Sequence, residues 1–135
     1  MTELADEVWG LITGLVTDSR EDYRRAVIAE VGMPFSRVRV LRRLAGGPLT
    51  MKALADAATI DAPAATVAVN DLEARGLVTR AVSAASGREK LVTLSAAGRE
   101  LLDRVLSMRQ EAPPSLARLT DGELVQLRAL ISGQG

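Results

Sequence analysis

The 135-residue chain contains no cysteine and no histidine. The first absence removes structural disulfides, thiolate metal sites, cysteine nucleophiles and cysteine redox sensing. The second removes the commonest metal ligand, the usual general base and the Ser-His-Asp relay. Most enzyme classes are disfavoured on these grounds, and neither a metal site nor a cofactor is expected. Aromatic residues make up 2% of the chain: Trp9, Tyr23 and Phe35. That is too few rings for RNA recognition by base stacking. No run approaches the ~18–20 apolar residues of a membrane helix. The acidic start, with Glu3, Asp6 and Glu7, is opposite in sign to a signal peptide. A soluble, cytoplasmic protein without membrane contact is expected.

Hydrophobic residues are not scarce, at 47%, which suffices for one folded core. Formal net charge is zero, but its distribution is uneven. Residues 1–30 carry a net −4, residues 31–99 a net +5 and residues 100–135 a net −1. A basic middle between acidic ends suits a nucleic-acid-binding core with non-contacting flanks. Fifteen of the 17 basic residues are Arg, and the two lysines are Lys52 and Lys90.

Hydrophobic periodicity predicts a long helix over 3–31, from Leu4, Val8, Leu11, Ile12 and Leu15. Gly32-Met33-Pro34 ends it. Ser36 is expected to cap a second helix carrying Val38, Val40, Leu41 and Leu44 inward. Gly46-Gly47-Pro48 breaks that helix, and Thr50 caps a short third one over 51–58. Asp61 caps a fourth, with Pro63 in its first turn and Gly76 in the left-handed position after its end. Two strands follow, over 77–80 and 90–94, joined by a flexible tip over 81–89. Ser95 caps a fifth helix running to about residue 110, stopped by Pro113-Pro114. Thr120 and Glu123 form a capping box for a last helix over about 121–132.

Three short helices followed by a β-hairpin make a winged helix-turn-helix. The fold class expected is mainly α, with a two-stranded β-wing and N- and C-terminal dimerisation helices. The outer helices carry an apolar face that a second copy would cover, and a two-fold dimer sets two recognition helices about one DNA turn apart. The organisation expected is a dimerisation helix over 1–32, a DNA-binding core over 33–98 and dimerisation helices over 99–135.

Several stretches resemble the MarR (multiple antibiotic resistance regulator) family. They are Phe35 to Leu44, Pro48-Leu49-Thr50, Leu54-Ala55, Asp71 to Arg80, and Gly87 to Gly98. The pairing of Leu72-Glu73-Ala74-Arg75-Gly76-Leu77-Val78 with Val92-Thr93-Leu94-Ser95-Ala96-Ala97-Gly98 is the specific element. The resemblance implies a homodimeric transcriptional regulator, usually a repressor, on a palindromic operator in double-stranded DNA. It also implies possible release by a small lipophilic, often phenolic, effector, although no ligand-binding residue can be named.

The recognition helix is the one opened by Asp61. Of its outward residues, Thr66 and Asn70 are the useful base readers: Asn can bond adenine through two contacts, and Thr can donate or touch a thymine methyl. By resemblance, Arg88 is the wing-tip arginine that enters the minor groove, and Ser86 stands where the family commonly has an Asp that holds it. Arg80 and Lys90 flank the wing and would face phosphates, and Lys52 could do so near a helix N-terminus. Arg37, Arg39, Arg42 and Arg43 are crowded, so at least one is expected to pair with Asp71 or Glu73. Arg75 is expected to serve the end of the recognition helix rather than DNA. Because that helix carries no Lys or Arg before Arg75, a second reading stays open: a winged-helix dimer without specific DNA reading, acting as a protein-interaction or ligand-binding module.

Overall fold

The computed structural model describes residues 2–85, 87–108 and 110–133. Among these residues, seven helices and three short strands follow in the order α1 (Thr2–Val31), α2 (Phe35–Arg43), β1 (Leu49–Thr50), α3 (Met51–Ala58), α4 (Ala62–Ala74), β2 (Val78–Val82), β3 (Lys90–Leu94), α5 (Ala96–Ser107), α6 (Pro114–Ala117) and α7 (Asp121–Ser132). The chain divides into two compact units, one over Arg24–Met108 and one formed by residues 2–23 with 110–133.

The first unit holds the core. Leu41 and Leu44 of the α2 region, Leu54 of α3, Val69 and Leu72 of α4, Val92 of β3, and Leu102 and Val105 of α5 are buried. Each such side chain contributes about 1.5–3 kcal/mol by leaving water. The helix starts follow local chemistry. Thr50, Asp61 and Ser95 each accept a hydrogen bond from the backbone N–H three residues on. These bonds satisfy groups that have no partner within the helix.

The start of α2 departs from expectation. Pro34, not Ser36, is its N-cap, with φ −58° and ψ 145° and no capping side chain. The proline ring presets the extended entry, and Ser36 falls one residue inside the helix. The α3–α4 turn also has an unexpected residue: Thr59 adopts φ 57°, a left-handed conformation that a β-branched side chain seldom takes. Its N–H bonds back to the carbonyls of Ala55 and Asp56.

The wing is part of a three-stranded antiparallel sheet rather than a two-stranded one, in the order β1-β3-β2. Leu49 pairs with Val92 and Thr50 with Leu91, while Val78 to Val82 pair with Leu94 to Lys90. Two residues are too short to show the alternation that marks a strand, so β1 is invisible in the sequence. The strand β2 also extends further than expected, to Val82.

A single junction joins the end of α4, the wing and the start of α5. Gly76, at φ 75°, turns the chain out of α4. The Ser95 backbone N–H donates to the Leu77 carbonyl at 3.0 Å, and the Ser95 hydroxyl donates to the Gly76 carbonyl at 2.6 Å. Gly98 packs directly over the same Leu77 carbonyl. The paired Gly76 and Gly98 stretches are therefore the two halves of one contact.

In the second unit, α7 begins with the expected capping box: Glu123 N–H donates to Thr120 Oγ1, and Thr120 N–H donates to Glu123 Oε1. Two differences occur before it. The fifth helix stops at Ser107, and Pro114 opens the short helix α6 instead of only ending a longer one. Proline suits a first helical position, where its missing N–H would have no partner anyway. Among the described residues, no helix is long and apolar enough to cross a membrane.

Candidate nucleic-acid interface

The helix α4 buries Ala65, Ala68, Val69 and Leu72. The opposite face presents Ala62, Pro63, Ala64, Thr66, Val67, Asn70 and Glu73 to solvent. Val67 is 59% exposed, an apolar side chain flanked on this face by Thr66 and Asn70. The sequence reading of the base readers did not include it. Its signal was its position, one residue from Thr66 and three from Asn70.

Thr66 is exposed, and its hydroxyl donates to the Ala62 carbonyl one turn back at 3.1 Å. This leaves its oxygen as an acceptor and its methyl for apolar contact. Asn70 is exposed, and its Oδ1 accepts from Arg80 Nη2 at 2.7 Å. Arg80 also donates to Glu73, from Nη2 at 2.9 Å and Nε at 3.3 Å. The guanidinium expected to face a phosphate is thus drawn onto α4. This pairing holds the Glu73 carboxyl below its ordinary pKa, chiefly through the hydrogen bond from Arg80.

Asp71 is spanned by two arginines. Arg37 Nε lies 2.9 Å from one carboxylate oxygen and Arg75 Nε 3.1 Å from the other. The pair with Arg37 is the expected outlet for the crowded α2 arginines, and it ties α2 to α4. The guanidinium of Arg75 is engaged on its own helix. Another of the crowded arginines, Arg42, stacks with Arg24 on Phe35, at 5.8 and 5.2 Å from the ring centroid.

The hydrogen bond from Arg37, followed by that from Arg75, lowers the Asp71 pKa. A depressed folded pKa means that the stabilisation is complete above the unfolded value and fades as pH falls through the folded one. The α2–α4 tie should therefore weaken only below about pH 4. Acid titration of Asp71→Asn beside the parent chain should show a smaller loss of stability over that window in the variant. Identical acid profiles would remove Asp71 from the tie.

Lys90 is exposed at the first residue of β3. Arg88 is exposed in the tip, which is closed by Ser83 N–H donating to the Glu89 carbonyl and Gly87 N–H to the Ser83 carbonyl. Ser86 lies outside the described residues. Lys52 is exposed at the second residue of α3, on the rim of a groove of about 420 Å³ that Asp56, Asp61 and Thr66 also line. The structure thus brings Thr66, Asn70 and Arg80 together on or against α4. Arg88 and Lys90 sit on the wing and Lys52 on α3. No group of three or more acidic residues among those described could hold a metal ion.

Residues 31–89 match the family model of the MarR family. No curated protein sequence matches the chain. Solved structures share its fold at low identity. A point mutant of S. aureus MepR bound to an oligodeoxyribonucleotide aligns with a TM-score of 0.78 at 20% identity, covering 93% of this chain and 94% of that one. The Bacillus subtilis YusO protein aligns at 0.73 and 20% identity, covering 97% and 94%. Wild-type MarR from E. coli, in its apo form, aligns at 0.64 and 19% identity, covering 92% and 94%. The end of α1, α2 and the segment through to the wing tip thus match the MarR family, and nearly the whole chain shares the winged-helix fold of these solved structures.

Proposed function

We propose that the chain is a homodimeric DNA-binding transcription regulator that represses its own or a neighbouring operon and is released by a small lipophilic effector. The observation that carries this reading is the outer face of α4, where Thr66, Val67 and Asn70 are exposed while the other face is buried in the core. A helix of that size fits a major groove ~12 Å wide, with the hairpin free to reach the neighbouring groove. Arg88 would enter the minor groove, where narrow stretches concentrate negative potential. Lys90 and Lys52 would meet phosphates. The fold shared with the MepR–oligodeoxyribonucleotide complex supports the same reading.

Dimerisation is supported by the apolar side chains that α1 and α7 leave in water. Leu4 and Ile131 are 70% and 69% exposed, and Trp9, Leu11 and Leu130 are similarly uncovered. A second copy would bury them. A groove of about 430 Å³, with Leu15, Val16, Pro113 and Leu116 in its walls, is large enough for a small lipophilic effector and is also lined by the polar residues Ser19, Arg20, Gln110 and Glu111.

The test is a gel-shift titration against the DNA upstream of the chain's own gene, at two salt concentrations, beside a scrambled duplex. Binding should be competitor-resistant and should lose roughly 0.9 log unit of K per log unit of salt for each phosphate neutralised. Arg88→Ala should weaken binding on the order of tenfold while sedimentation still reports a dimer. An unchanged affinity would take Arg88 out of the interface. One observation favours a second reading, a dimer that holds DNA without reading it: α4 has no Lys or Arg, and Arg75 just beyond it is engaged by Asp71. Equal, salt-fragile binding to both duplexes would select that reading.

A further inference from the structure

We infer that Arg80 is a positioning residue, which fixes the side-chain amide of Asn70 so that its NH2 edge meets the DNA and selects guanine over adenine. The inference rests on the DNA reading proposed above. An arginine side chain has five N–H donors and no acceptor. The Asn70 atom that meets Arg80 Nη2 at 2.7 Å is therefore the carbonyl oxygen, and the amide orientation is set by chemistry. Arg80 is itself held. Its Nη2 and Nε both reach Glu73, and its side chain is only 24% exposed. Its strand is anchored by buried Val78 and paired with β3 from end to end. Charge-assisted bonds of this kind are about twice as strong as neutral ones, so the carbonyl is firmly occupied.

The consequence concerns which base edge fits. Two-contact reading of adenine by Asn needs the amide oxygen on N6–H2 and the amide NH2 on N7. Here the oxygen is turned to Arg80, which fills one of its two lone pairs, and among the described residues the Nδ2 group has no acceptor. What α4 offers is a two-proton donor. The major-groove edge of guanine presents two acceptors, N7 and O6. Adenine would offer that donor only N7 and would set its own N6–H2 donor beside it, one acceptor fewer than guanine. The Glu73–Arg80–Asn70 chain thus turns a residue type usually associated with adenine into a reader of guanine.

Selection from a randomised duplex library tests this, using full-length wild type, Asn70→Ala, Arg80→Leu and Arg80→Gln. Wild type should enrich a motif in which one position loses its preference in Asn70→Ala. That position should be guanine in wild type and shift towards adenine by on the order of tenfold in Arg80→Leu. Arg80→Gln, whose amide can accept as well as donate, should shift it in the same direction and keeps the test open should the Leu variant fail to fold. A position that stays guanine in both Arg80 variants would overturn the positioning role while leaving an operator-reading regulator intact. A wild-type motif with no position sensitive to Asn70→Ala would overturn Asn70 as a reader. No motif at all from wild type would overturn the DNA reading and this inference with it. Loss of a phosphate contact alone would lower affinity at every sequence and leave the base preference unmoved.

Discussion

Gly98→Ala is expected to destabilise the protein by about 2–3 kcal/mol, although alanine is the better helix former. On propensity alone, glycine inside a helix costs roughly 0.5–1 kcal/mol, so the substitution should stabilise α5. The tertiary contact reverses the sign. A Cβ at position 98 would overlap the Leu77 carbonyl oxygen and sit 3.0 Å from its carbon. That carbonyl is backbone and already accepts the Ser95 N–H at 3.0 Å. It cannot swing aside without breaking the bonds that hold the wing to α5. The melting temperature should fall by roughly 10 °C at fixed protein concentration. A melting temperature that stays level or rises would mean that the turn at Leu77 yields freely.

Leu72→Ala should cost about 2–5 kcal/mol, the usual range for a cavity in a packed core. Leu72 is fully buried on α4, and its carbonyl accepts the Leu77 N–H at 2.9 Å, so it sits where the recognition helix meets the turn into the wing. Val67→Ala on the same helix is the matched control. Val67 is mostly exposed, and the change should alter stability by no more than about 0.5 kcal/mol. Denaturant melts of the two variants should therefore separate widely. Similar midpoints would mean that α4 is not oriented as described.

The helix starts were legible because capping is local. A Thr, Asp or Ser reaches the N–H three residues ahead, and the pattern is complete within four residues, as at Thr50, Asp61, Ser95 and Thr120. Ser36 misled because Pro34 supplied the same entry by a different means, a fixed φ in place of a hydroxyl. The strand β1 was missed because two residues have no period, and its existence depends on β3, more than forty residues away in the chain.

The outward face of α4 was readable for a similar reason. A 3.6-residue period places Thr66, Val67 and Asn70 opposite Ala65, Val69 and Leu72 without knowledge of any neighbour. The partners of those side chains were not readable. Arg80 looked like a phosphate contact from its place on the wing, yet it is bound to Glu73 and Asn70 across the helix–strand turn. The pairing of an α2 arginine with Asp71 could be anticipated from crowding, but which arginine could not.

What this sequence determined by itself was the order of the longer helices and the hairpin, the caps at Thr50, Asp61, Ser95 and Thr120, and the two faces of α4, all set by interactions spanning a few residues. Only the tertiary structure decided which cations remain directed outward, which way the Asn70 amide points and why position 98 must lack a side chain. Those outcomes depend on contacts between residues distant in the chain, and local propensity carries no information about them.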